Sequence, residues 1–110
     1  MSRIDPRTEA VWQPEKMGKA TLWSNERLML GVNAFEPGQS HAPHAHEGQD
    51  KVYVVLEGSG RFSLAGVVHE LGPGEVLVAP AGVEHGVEND SGARLLVLVT
   101  LSPPPASKPH

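Results

Sequence analysis

The sequence contains no cysteine among its 110 residues. Disulfide bonds, thiolate metal sites and a catalytic thiol are therefore excluded, and a reducing compartment is the simplest expectation, so we predict a cytoplasmic protein. Aromatic residues make up only 5% of the chain, and the formal net charge is -4. Neither a base-stacking platform nor a basic surface is expected, and we predict no nucleic-acid partner.

Long apolar runs are also absent. No run approaches the roughly 18 to 20 apolar residues of a membrane-spanning helix, and residues 1–17 are polar and charged. That segment lacks the apolar stretch of a signal peptide, so we expect no membrane partner. At 110 residues, the chain is long enough to bury one hydrophobic core and too short for two. We therefore predict a single domain.

Glycine and proline are abundant. Twelve glycines and ten prolines divide the chain into short apolar segments, and none shows sustained helical periodicity, which favours an all-β fold. We place the domain at residues 18–101, with an N-terminal arm over 1–17 and a proline-rich tail over 102–110 that are not expected to join the core. The predicted strands are 20–23, 28–35, 41–46, 51–57, 60–64, 67–71, 75–79, 83–88 and 94–101.

Two of these strands are apolar on both faces. Residues 52–56 and 95–99 contain no polar position, whereas an antiparallel strand with one solvated face should alternate. The outer face must be covered by another sheet of the same chain or by a second subunit. For so small a chain we predict a homodimer.

Three histidines form the best clue to function. His44 and His46 are separated by one residue and share a face of their strand, so both imidazoles can reach one metal ion. His85, much later in the chain, can complete a set of three. Imidazole suits Zn, Fe, Mn, Ni and Cu, and we predict a divalent transition metal as cofactor. His41 lies three residues before His44 and is expected to point to the opposite face.

The spacing of these histidines resembles two motifs of the cupin superfamily. The resemblance implies a double-stranded β-helix, a barrel related to the jelly roll, with His44, His46 and His85 as metal ligands. The final asparagine of the second motif is expected to form a turn rather than to bind metal. The matching positions are Gly38, His44, His46, residue 51 and Gly58 for the first motif, and Gly74, Pro80, Gly82, His85 and Asn89 for the second.

Lys51 departs from the family pattern. Cupins usually carry glutamate at this position as a fourth ligand, whereas an ammonium group has no lone pair to give a metal. Four outcomes are open: Lys51 swings away and leaves a three-histidine site; Gln49 or Asp50 supplies the missing oxygen; Lys51 is itself a base or an anion-binding group; or the barrel binds its ligand without a metal.

The residues beside Lys51 predict the pocket. Tyr53 and Val55 share its face by the two-residue period of a strand, and we expect them to line the barrel with Phe35 and Val87. The resemblance implies a metal-dependent enzyme of the dioxygenase, decarboxylase, isomerase or lyase type. Its substrate would be a small anionic or oxygenated molecule, because a metal with open positions favours such ligands. The alternative is a binding or sensing protein without catalysis.

Overall fold

The structure is a computed structural model that describes residues 3–105, so the end of the predicted tail, 106–110, lies outside the described residues. It contains one short helix, α1 (Pro6–Glu9), which was not predicted because four residues are too few to show a helical period. The strands are β1 (Gly18–Ser24), β2 (Met29–Phe35), β3 (Ser40–His44), β4 (Asp50–Glu57), β5 (Gly60–Leu64), β6 (Val67–Leu71), β7 (Val76–Ala79), β8 (His85–Glu88) and β9 (Leu95–Ser102).

The strands form two antiparallel sheets. The first has five strands in the order β1-β2-β9-β4-β7, and the second has four in the order β3-β8-β5-β6. This confirms the all-β class. The first and last residues of each predicted strand lie within two residues of those of the corresponding observed strand. The core consists of side chains from both sheets, which include Met29, Phe35, Tyr53, Val55, Phe62, Val87, Leu95, Val97, Val99 and Leu101.

The N-terminal segment packs on the domain, contrary to our expectation of an arm outside the core. Met17 is buried in the main core, and Ala10 and Trp12 pack against the second apolar cluster, which lies on β2 and β9. The Arg94 guanidinium lies 4.3 Å from the centroid of the Trp12 ring, a cation–π contact. The same chain therefore covers part of the outer face of the five-stranded sheet.

The other end of that outer face stays apolar and open. Val76 and Val78 of β7 are 54% and 50% exposed, and they pair with Val54 and Val52 of β4. The homodimer stays a prediction. Light scattering tests it, since a dimer has twice the 11.7 kDa mass of one chain, and a particle with the mass of one chain would contradict it.

Within residues 3–105, no helix is long and apolar enough to cross a membrane.

Candidate metal centre

Strands β3 and β8 bring the three histidines together. His44 and His85 are direct partners in the antiparallel pairing of these strands. His46 lies just beyond β3, where its carbonyl accepts a 2.9 Å hydrogen bond from the Gly82 amide. One ligand nitrogen of each histidine lies within 4.8 Å of the other two. The arrangement has the size of a three-imidazole metal site.

Backbone hydrogen bonds set the tautomers of two of these rings. Nδ1 of His44 lies 2.8 Å from the Ala42 carbonyl oxygen, and Nδ1 of His85 lies 3.0 Å from the Val83 carbonyl oxygen. Because a carbonyl can only accept, Nδ1 must carry the proton in both rings. Each Nε2 then presents a bare lone pair, and both atoms are buried without a hydrogen-bond partner. This is the arrangement of a histidine that ligates metal through Nε2.

The imidazoles are kept neutral by their surroundings. Burial is the largest cause that lowers the pKa of all three, and for His46 the result is about 4. The Lys51 ammonium lowers each pKa further. A neutral imidazole is the form that binds metal, so the donor set is ready at neutral pH.

His41 joins this group, and our expectation that it points away was wrong. The pairing of β3 with β8 shifts register between His41 and His44, and the two ring centroids lie 4.4 Å apart. The irregularity falls at Pro43, which packs closely against Gly86. A Cβ atom added to Gly86 would lie only 3.0 Å from the Pro43 nitrogen. The extra residue turns His41 inward, where its Nδ1 is buried without a partner.

Both candidate fourth ligands form hydrogen bonds with neighbouring loops. The Asp50 carboxylate accepts a 2.9 Å hydrogen bond from the Ala81 amide, and the Gln49 side-chain amide donates a 2.9 Å bond to the Pro103 carbonyl. Both side chains therefore tie the start of β4 to neighbouring loops. The described histidine group includes no carboxylate.

Lys51 points into the barrel. Its side chain is 1% exposed, and its Nζ lies 5.0 Å from the centroid of the Tyr53 ring. Tyr53 in turn lies 6.0 Å from the His85 ring, centroid to centroid. Burial lowers the pKa of Lys51 to about 8, and nearby Lys19 lowers it as well. At neutral pH the ammonium form therefore still predominates.

The remaining predicted pocket residues are interior. Val55, Phe35 and Val87 are buried in the main core with Tyr53. The Tyr53 hydroxyl has no hydrogen-bond partner, and burial raises its pKa, so the phenol stays a protonated donor. Three of these residues thus supply apolar packing, whereas Tyr53 also offers a donor.

Sequence reasoning missed Asn33. This residue is 0% exposed, and neither atom of its side-chain amide has a hydrogen-bond partner. Buried polar groups are normally satisfied, so an orphaned amide indicates a place for a water or a ligand. The signal was a single polar residue inside the apolar strand 28–35.

Asn89 forms turns, as expected. Its side-chain nitrogen donates to the Phe35 and Ala93 carbonyls at 3.0 and 2.8 Å, and its oxygen accepts from the Ser91 amide. These bonds hold the end of β8, and therefore the strand that carries His85.

A cavity of about 410 Å³ opens beside His41. Its wall contains two lysines, and one of them, Lys19, acts on the site because its charge lowers the pKa of His41, His44 and His46. The cavity therefore places two basic residues beside His41, whose ring lies 4.4 Å from that of His44. Its lining residues are Gln13, Lys16, Met17, Lys19, Ser40 and His41.

The fold and the motifs place the chain in a known family. The family model described as "Cupin domain" matches residues 31–101, and this chain belongs to the cupin family. A structure of TT1209 from Thermus thermophilus matches with a TM-score of 0.92 and 40% identity, and covers 96% of this chain and 100% of that one. A Klebsiella pneumoniae protein described as having a double-stranded β-helix domain matches with a TM-score of 0.87, 21% identity, and 94% and 91% coverage. The predicted double-stranded β-helix is confirmed.

Two relatives with named functions match parts of the chain. Dimethylsulfoniopropionate lyase DddW from Ruegeria pomeroyi is 41% identical over 59 residues, which are 54% of this chain and 38% of that protein. An oxalate-binding protein from Thermotoga maritima is 32% identical over 85 residues, which are 77% of this chain and 69% of that protein. The chain thus spans well under half of the lyase and about two thirds of the oxalate-binding protein.

Proposed function

We propose that this protein is a metal-dependent enzyme whose divalent transition metal is held by His44, His46 and His85. The observation that carries the proposal is the convergence of three neutral imidazoles whose ligand nitrogens lie within 4.8 Å of one another. Two of them direct an unpartnered Nε2 into the site. Orphaned buried acceptors cost stability unless a ligand satisfies them, and a metal ion held between the three imidazoles would do so.

The substrate class we propose is a small anionic or oxygenated molecule. Lys51 and Lys19 give the site a positive potential, which favours an anion. The names of two relatives support this class, because oxalate and dimethylsulfoniopropionate both carry carboxylates. A bound divalent ion with open positions supplies Lewis acidity or oxygen activation. The chain's own residues bind and orient the substrate, and the buried Tyr53 phenol holds a proton beside His85.

A second candidate is a binding or sensing protein without turnover. The buried Lys51 favours it, because a lysine in place of the usual glutamate suits ligand binding at least as well as metal binding. The relative described as oxalate-binding supports the same function. The two functions differ in one observable, since a binding protein is stabilised by its ligand without converting it.

Metal loading tests the metal site. The full chain is treated with chelator, dialysed, and given Zn, Mn, Fe, Ni or Cu separately while its melting temperature is recorded. We expect at least one ion to raise the melting temperature, since saturation at about 100 times Kd stabilises a protein by about 2.7 kcal/mol. No shift with any of these ions would contradict the proposal. Product analysis with oxalate and dimethylsulfoniopropionate then separates an enzyme from a binding protein.

A further inference from the structure

Lys51 is a buried charged group that metal binding by the three imidazoles does not use. Its side chain is only 1% exposed, yet it forms no hydrogen bond or ion pair with any of residues 3–105. A buried ammonium without a counter-ion is unfavourable. Within residues 3–105 its charge lies over the face of the Tyr53 ring, and none of the ion pairs of these residues includes it, so an anionic ligand can take the place of a counter-ion.

The structure places a hydrogen-bond donor, the Tyr53 phenol, beside Lys51. Its Nζ lies 5.0 Å from the Tyr53 ring centroid, and the Tyr53 hydroxyl is buried with no partner. Burial raises the pKa of that phenol, so it remains a donor. Asp50, the neighbouring carboxylate, is bonded to the Ala81 amide instead. An anion placed here would find an ammonium and a phenol ready to donate to it.

Two further lysines lie on the His41 side of the histidine group. Residues 3–105 contain three lysines, Lys16, Lys19 and Lys51. Lys16 and Lys19 line the cavity together with His41, Lys51 is buried, and the charge of Lys19 acts on Lys51. Such a grouping in a chain of net charge -4 focuses a local positive potential that raises the concentration of anions.

We propose that Lys51 is the anchor for a carboxylate group of the small-molecule ligand, and that the charges of Lys16 and Lys19, in the cavity beside His41, attract this ligand. The inference rests on the proposed function, because the ligand is the small anionic molecule proposed above. The anion site itself does not require the metal ion. In cupins with glutamate at this position, the carboxylate in the site belongs to the protein. Here the protein provides a lysine instead, and the carboxylate that binds it belongs to the ligand. Lys51 would thus determine specificity for carboxylates.

Binding of matched acids and amides tests the proposal. The probes are acetate and oxalate, with acetamide and oxamide as neutral counterparts, and affinities are measured by calorimetry on the full chain as purified and after chelator treatment. We expect wild type to prefer each carboxylate over its amide. Lys51→Met should weaken carboxylate binding about 10- to 100-fold, the range for loss of a hydrogen bond to a charged partner, with no effect on amide binding.

Arg61→Met is the matched control. It also removes one positive charge, but from an exposed side chain that pairs weakly with Glu70 and Asp90 at 3.6 and 3.9 Å. The affinity of this variant for carboxylates should equal that of wild type. Lys51→Gln provides a second variant should Lys51→Met fail to fold.

Each outcome decides one claim. If wild type binds neither carboxylate more tightly than its amide, or if both Lys51 variants bind carboxylates like wild type, the inference is overturned. Metal content measured on the same samples tests the proposed function separately. A protein without metal whose carboxylate binding depends on Lys51 would support the anchor and contradict the metal site. A protein that holds metal but whose carboxylate binding does not depend on Lys51 would support the metal site alone.

Discussion

The variant His85→Ala is expected to lose its metal. His85 is 2% exposed and directs an Nε2 without a partner towards the other two imidazoles. Changes to residues that only orient a ligand already cost about 10- to 100-fold in metal affinity, so removal of a ligand should cost more than about 100-fold. Elemental analysis after dialysis measures this as metal content per chain, near one in wild type and near zero in the variant.

His69→Ala is the control for this experiment. His69 lies on β6 and is exposed, outside the group of three histidines, so this variant should keep the metal content of wild type. If His85→Ala retained a full equivalent of metal, the three-histidine site would be wrong.

The variant Lys51→Met is expected to be more stable than wild type in the absence of ligand. Methionine has nearly the shape of lysine without its charge, and replacement of buried charges by apolar groups often stabilises proteins by about 1–4 kcal/mol. The folded pKa of about 8, against an ordinary value of 10.5, corresponds to about 3 to 4 kcal/mol at about 1.4 kcal/mol per pKa unit. We expect a gain of about 1 to 3 kcal/mol in the free energy of unfolding, measured by denaturant titration at pH 7.

The gain should depend on pH in one direction. Because the folded pKa of Lys51 lies below its ordinary value of 10.5, the unfolded chain binds more protons between about pH 8 and 10.5, and wild-type stability rises with pH across that window. The advantage of Lys51→Met is therefore full below about pH 8 and should shrink as the pH approaches 10.5. An advantage that is absent at pH 7, or that grows with pH, would contradict a buried ammonium that costs stability at this position.

These two expectations describe one trade-off. The buried charge lowers the free energy of unfolding of the ligand-free protein, but it can bind a ligand. Such losses of stability are typical of functional sites. Lys51→Met should therefore combine higher stability with weaker carboxylate binding. If Lys51 served only to pack the core, its replacement would lower the stability of the protein.

Most of the fold could be predicted from local features. Glycine and proline marked the turns, and the two-residue period placed Tyr53 and Val55 on the inner face with Lys51. His44, His46 and His85 could be selected because their spacing matched two motifs at once. Each of these inferences depends on residues close together in the chain or on a recognised spacing.

The missed features depend on contacts between distant residues. His41 turns inward because Pro43 interrupts the pairing of β3 with β8, and the register between strands far apart in the chain is not readable from either strand alone. Trp12 packs on the domain through Arg94, a long-range contact. Asn33 could have been noticed as a polar residue in an apolar strand, but only the structure shows that it has no partner.

The most direct measurement of the central claim is anomalous diffraction from crystals of the metal-loaded protein. We expect one anomalous peak within about 2.0 to 2.2 Å of an imidazole nitrogen from each of His44, His46 and His85, with Lys51 near the peak but not bonded to it. A peak coordinated by Gln49 or Asp50, or no peak between the three imidazoles at full metal occupancy, would contradict it.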